Sequence, residues 1–318
     1  MDQRRLGESG LAVSAIGLGC NNLGRPGTGT ETLSGTRAVV DAALDSGITF
    51  FDVADTYGSP RGRSEELLGQ ALSGRRDLAV IATKFGMDMQ GSNGPDFGAR
   101  GSRRYVRRAV ESSLRRLATD WIDLYQLHRP DPLTPLEETL SVLDDLVREG
   151  KIRYVGHCNL AGWQVADASW TATSAGLTAP VSSQHHYSLL SREVEREVVP
   201  AAQRFGLGLL PYFPLANGLL TGKYRRDQIP PADSRLAGRA QLLTEAPWDR
   251  IEKLRLFAEQ RGITMSTVAL GWLAAQSPVA SVIAGATSPE QVQANAQAAH
   301  WIPDADELAT LNALCPET

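Results

Sequence analysis

The feature that most constrains this chain is a regular alternation of short β-type runs and helical stretches, repeated eight times. The runs are Ala15–Gly19, Thr49–Val53, Leu78–Lys84, Ile122–His128, Ile152–His157, Val181–His185, Gly208–Tyr212 and Ser281–Ala284. Several are continuously apolar, as parallel strands covered on both faces must be. Amphipathic segments separate them, clearest at Thr36–Ser46, Ser64–Leu72, Arg103–Leu117, Leu136–Glu149, Leu160–Ser174, Ser191–Phe205 and Ser288–Ala299. Eight strands each followed by a helix predict a closed (β/α)8 barrel, a TIM barrel, rather than a doubly wound sheet of five or six strands. The chain's 318 residues fit one such domain, 1–318. Arg5–Val13, with its Gly-rich turn, reads as a hairpin able to cap the barrel bottom, and Asp304–Leu314 as a terminal helix.

Chemistry in such a barrel belongs at the C-terminal strand ends and their loops. Two long connections leave that face, Gly86–Gly101 after the third strand and Asn217–Pro247 after the seventh. Asp52, Lys84 and His128 end three consecutive strands, and Tyr57 lies in the loop just beyond Asp52. With strands about 4.8 Å apart, these groups should converge. Tyrosine is a weak acid, with an unperturbed pKa of about 10. An adjacent ammonium would stabilise its phenolate, and Asp52 would hold that ammonium. A neutral imidazole could orient a carbonyl, so the set suits protonation of an oxygen that becomes negative. A strand-end Asp or Lys alone is as often a plain salt bridge. His185 and His186 point to opposite strand faces, and His157 and His300 lack a spaced partner, so no metal site is expected.

Composition removes other classes. A formal charge of −4 gives no reason to expect nucleic acid or an anionic membrane as partner. Cys20, Cys158 and Cys315 form neither a disulfide framework nor a zinc motif, which suits a reducing compartment. No apolar leader or membrane-length apolar window is present, so a cytoplasmic location is expected. Gly17-Leu18-Gly19-Cys20-Asn21-Asn22 lacks the third glycine of the Rossmann fingerprint, and no helix opens directly after it.

Phe51-Asp52-Val53-Ala54-Asp55-Thr56-Tyr57-Gly58, followed by Ser64-Glu65-Glu66-Leu67-Leu68-Gly69, closely resembles the signature of the aldo-keto reductases. The resemblance continues through Thr83-Lys84, Asp123–His128, Gly150–Gly156 and Pro214-Leu215-Ala216, and ends at Gly285–Gln291. In motif it is nearest the branch holding potassium-channel β subunits and bacterial aldo-keto reductases. It implies an NADPH-dependent oxidoreductase that reduces a small carbonyl substrate, with Tyr57 as general acid, Lys84 and Asp52 tuning it, and His128 orienting the carbonyl. It also implies an extended NADPH or NADP+ across the barrel mouth. Asn159 and Gln184 match the residues holding the carboxamide, and Tyr212 the aromatic stacked on the nicotinamide. Gly285, Thr287, Gln291 and Asn295 match the adenosine-phosphate end, and Lys223 and Arg235 a basic pair in the seventh-strand loop. Cys20, Asn21, Asp52, Cys158, Pro214 and Leu215 complete the implied cofactor set. Cys158 and Phe213 stand where serine is usual, Cys20 where threonine is usual, and Ala294 where an acidic residue is common.

Two other readings stay open. A regulatory subunit could bind the cofactor and turn over slowly, as channel β subunits do. A barrel metallohydrolase using Asp52 and His128 would need a further strand-end ligand, which the sequence does not supply. Phe97, Phe213 and Trp248 are candidates for the substrate wall, Trp248 equally for core, and Cys158 for a redox-sensitive point beside the cofactor.

Overall fold

The computed structural model describes residues 1–230, 236 and 240–317. It opens with an antiparallel hairpin, β1 (Gln3–Arg5) and β2 (Ala12–Ser14), paired Gln3 to Ser14 and Arg5 to Ala12. Eight parallel strands follow: β3 (Ile16–Gly19), β4 (Phe50–Asp52), β5 (Val80–Phe85), β6 (Ile122–Leu127), β7 (Ile152–Cys158), β8 (Ser182–His186), β9 (Gly208–Tyr212) and β10 (Val282–Gly285). They pair in chain order, and β10 closes onto β3, so the barrel has no free edge.

Helices α1 (Leu33–Asp45), α2 (Arg63–Ala71), α3 (Arg103–Leu117), α4 (Leu136–Arg148), α5 (Gly162–Ser174) and α6 (Val194–Arg204) follow β3 to β8 in turn. After β9 come α7 (Ala240–Thr244), α8 (Trp248–Gln260) and α9 (Met265–Ala274); after β10 come α10 (Pro289–Ala298) and α11 (Ala305–Leu314). The barrel, hairpin and terminal helix agree with the sequence expectation, with strand ends shifted by one or two residues and helix ends by up to three. Ser288 caps α10 by accepting from Gln291 N, and Asp304 with Glu307 forms a capping box on α11.

Alternation along the strands divides the core in two. Ile81, Phe51 and Tyr125 face outward into a layer shared with the helices. Phe50, Ala82, Leu124, Leu210 and Ile283 face inward and pack with Leu6 and Val13 of the hairpin. The hairpin therefore plugs the bottom. Ser14 Oγ accepts from Thr49 N (3.1 Å) and Phe50 N (3.2 Å), and Glu8 N donates to Gly206 O (2.8 Å). Gly7, at φ +61°, lies so near β9 that an added Cβ would meet Gly206 O at 2.3 Å. Only glycine suits both the conformation and the space.

Candidate active site

Two residues above each apolar inward position on β4, β5 and β6 stands a polar one: Asp52 above Phe50, Lys84 above Ala82, Gln126 above Leu124. The strand period of two thus gathers the polar groups in one layer, directly over the apolar plug. Lys84 is fully buried, and its Nζ donates to Asp52 Oδ2 (2.7 Å) and Val53 O (2.9 Å). Asp52 Oδ1 accepts from Gln184 Nε2 (2.8 Å) and Gln126 Nε2 (3.5 Å). At Gly156 of β7 an added Cβ would lie 2.3 Å from Ser182 Oγ and 3.1 Å from Gln126 Cγ, so its lack of a side chain makes room for this layer.

Tyr57 lies above the pair, its ring centroid 5.1 Å from Lys84 Nζ and 6.0 Å from the His128 ring, which meets it edge-on. Burial pushes the Tyr57 phenol up; the Lys84 ammonium pulls it down, Asp52 opposes that pull, and the result is about 12. The ammonium does act as the sequence suggests, but burial outweighs it, so the resting phenol stays protonated. Burial likewise works against the Lys84 charge, yet Asp52 and Tyr57 prevail and hold its pKa above the usual lysine value. His128 is pushed down to about 3, by burial first and then by Lys84 and Arg129, so its ring is neutral. Its Nδ1 is buried and has no hydrogen-bond partner among the described residues.

A cavity of about 980 Å³ opens over this layer, near the upper end for ligand sites. Asp52, Tyr57 and His128 line it, as do Asn21, Asn159, Gln184 and Tyr212. Pro214, Leu215 and Lys223 contribute from the β9 connection, and Gly285, Thr287, Gln291 and Asn295 from β10 and α10. Asn159 adopts φ +60°, a conformation asparagine tolerates, and its amide donates to His128 O (3.0 Å) and accepts from Tyr212 Oη (2.8 Å). One face of Tyr212 is stacked on His186, with centroids 5.7 Å apart and planes 16° apart. Phe213, also at the cavity, is held at φ +54°, unusual for a bulky residue and the kind of strain found at ligand sites. At the far end Gln291 Oε1 accepts from Thr287 N (2.9 Å) and Thr287 Oγ1 (3.2 Å).

Some expected residues stand elsewhere. Cys20 and Cys158 are fully buried and do not line the cavity; burial pushes both thiols up, which disfavours the reactive thiolate. Arg235 lies outside the described residues. Phe97 is 84% exposed and away from the cavity. Trp248 opens α8, packs against the outer core and donates to Leu243 O (3.0 Å). The cavity also takes residues that the sequence analysis did not single out: Arg25 and Thr28 from the loop after β3, Met87 after β5, Arg129 after β6, and Ser266 at the start of α9. Arg129 was within reach of sequence reasoning, since it directly follows His128.

A second buried polar cluster lies behind the site. Glu65 accepts from Thr83 Oγ1 (2.6 Å) and Arg116 Nε (2.7 Å), and Asp55 Oδ2 accepts from Asn93 Nδ2 (3.3 Å). Burial, and next the charge of Glu65, push the Asp55 carboxyl well above the usual range. Among the described residues no group of three or more potential ligands could hold a metal ion, and no helix is long and apolar enough to cross a membrane.

Comparison with known proteins identifies the family. The chain is 37% identical to an uncharacterised oxidoreductase, YrpG, of Bacillus subtilis (strain 168), over 99% of this chain and 96% of that protein. It is 35% identical to a probable voltage-gated potassium channel subunit beta of Oryza sativa subsp. japonica, over 95% and 92%. It is also 35% identical to an L-glyceraldehyde 3-phosphate reductase of Escherichia coli O157:H7, over 98% and 92%. The sequence model of the aldo/keto reductase family matches residues 15–315, from the first barrel strand to the end of the last helix. With that span and these relatives, the chain belongs to the aldo/keto reductase family.

Proposed function

We propose that this chain is an NADPH-dependent oxidoreductase that reduces an aldehyde or ketone to the alcohol, with Tyr57 as proton donor. The observation that carries the reading is the Tyr57 phenol at the cavity, its ring 5.1 Å from the fully buried Lys84 ammonium that Asp52 holds. Family membership supports an oxidoreductase. The donor set suits an extended nicotinamide dinucleotide. Asn159 and Gln184 offer amides beside Tyr212, and Lys223, Thr287 and Gln291 offer cationic and polar groups from the β9 connection and the β10–α10 turn. When bound, the cofactor supplies the hydride.

The chain's own groups manage the oxygen. The carbonyl oxygen sits between the Tyr57 hydroxyl and the neutral His128 ring, which donates an N–H and fixes its direction. As negative charge develops there, Tyr57 Oη transfers its proton and becomes a phenolate. Lys84 stabilises that phenolate with the ammonium proton not used on Asp52 and Val53. Asp52, held by Gln184, keeps the ammonium in place and charged. Water then returns a proton to Tyr57.

Tyr57→Phe tests this, because it removes the proton and keeps the ring. A positioned acid contributes about 10²–10⁴-fold, so kcat should fall by that factor while NADPH binding, followed by fluorescence, changes little. A variant keeping more than about a tenth of wild-type kcat would show that Tyr57 is not the donor. Wild-type turnover on an aldehyde panel separates an enzyme from a slow cofactor-binding regulatory subunit.

A further inference from the structure

Among the described residues three cationic side chains line the cavity, Arg25, Arg129 and Lys223, against one carboxylate, Asp52, already committed to Lys84 and Gln184. Two of the cations have other neighbours. Arg25 reaches Asn22 Oδ1 (3.5 Å), and Asn22 donates to Ala286 O (3.4 Å), which places that arginine beside β10 and α10. Lys223 lies in the β9 connection, among the groups proposed above for the dinucleotide.

Arg129 differs. It follows His128 directly, and its charge acts on His128, Cys158 and Tyr212, so it stands at the reacting end. It is exposed, and among the described residues nothing pairs or hydrogen-bonds with its guanidinium. A free guanidinium fork is shaped for a carboxylate or phosphate. Met87 and Phe213 supply apolar wall for a short carbon chain on the same cavity. An uncharged substrate would leave the fork in water and gain nothing from it.

We propose that Arg129 binds an anionic group of the substrate, so that the preferred substrates are short aldehydes or ketones bearing a carboxylate or phosphate. The carbonyl half of this statement rests on the reductase reading; the anion half does not.

The test measures kcat/KM with NADPH for two matched pairs, 4-oxobutanoate against butanal and glyceraldehyde 3-phosphate against glyceraldehyde. Charge-assisted hydrogen bonds at an exposed site lie at the weaker end of their range, so the charged member of at least one pair should lead by about 10-fold. Arg129→Gln should bring that ratio close to one, and Arg129→Lys should restore part of it. The two pairs separate carboxylate from phosphate. Equal losses on both members, or an unaltered ratio, overturn the proposal. So does a raised NADPH Kd with the ratio intact, which assigns Arg129 to the cofactor. Should the wild type reduce none of the four nor any member of the aldehyde panel, the reductase reading fails and calorimetry with 4-hydroxybutanoate decides the anion site; turnover on uncharged panel members alone overturns the proposal. Binding about 10-fold weaker in Arg129→Gln upholds the site, whereas equal or absent binding removes it.

Discussion

Two histidines outside the site make the stability of this barrel acid-sensitive, and the size of the effect follows from their surroundings. His157 and His185 point away from the barrel interior and are almost fully buried, sharing Ser183 Oγ at 3.3 Å from His157 Nδ1 and 2.7 Å from His185 Nε2. Burial pushes His157 down to about 3, with His185 adding to the shift, and pushes His185 down to about 4. The unfolded chain takes up these protons near pH 6.5, whereas the folded one refuses them until far lower pH. Their contribution is therefore complete above pH 6.5 and lost as pH falls toward 4. At pH 5 each histidine forfeits about 2 kcal/mol, some 4 kcal/mol together. Asp55, with its carboxyl pushed up, acts in the opposite sense, so wild-type pH dependence alone does not isolate the pair. The measurement is urea unfolding at pH 7.5 and 5.0 of wild type and of the His157→Gln/His185→Gln double variant. The wild type should lose about 4 kcal/mol more than the variant between the two pH values, and the single His185→Gln variant should recover about half of that difference. Equal losses in wild type and double variant would refute the reasoning.

The other predictions concern the proposed chemistry. Lys84→Met removes the influence that lowers the Tyr57 pKa, so the pH–rate profile for alcohol oxidation should move upward relative to wild type. The same change strands the buried Asp52 carboxylate and should cost about 3–5 kcal/mol in urea unfolding; an unchanged profile would count against the Lys84–Tyr57 coupling. Lys223→Ala should raise the NADPH Kd about 10-fold and the NADH value much less, while Arg235→Ala should act in the same direction by roughly 10- to 150-fold. Equal weakening of both cofactors shows that these residues do not read a 2′-phosphate, and a wild-type preference for NADH removes the NADPH assignment.

The strands and most of the helices were legible because each carries a period that burial enforces. The approach of Asp52, Lys84 and Tyr57 was legible too, since strand ends in a barrel have one place to go. The helices after β9 were not. Residues Val268–Leu273 of α9 are all buried, so the helix lacks the polar stripe by which a sequence reveals a helical period. Gln126 was quoted within a motif but given no role, because its bond to Asp52 depends on inward alternation and on the room left by Gly156. The cavity positions of Arg25 and Thr28 depend on how an irregular loop folds back toward α10, where an added Cβ on Gly29 would meet Thr287 O at 3.0 Å. The direction of the Tyr57 shift was hidden for another reason: residue types announce a nearby cation, but only packing tells how much water is lost.

The hairpin under the barrel closes the lower end of the molecule's central well. Leu6 and Val13, with Phe50, Ala82, Leu124, Leu210 and Ile283 above them, form an apolar floor under Lys84 and Asp52. Hydrogen ions and water thus meet the polar layer from the mouth and not through this floor. In the proposed reaction a ligand lying across that mouth would also be the stopper. The phenol would then enter each cycle with a single proton to give and no means of refilling until something leaves. Turnover and recharging would share one doorway, and the order of release would set when the acid is ready again.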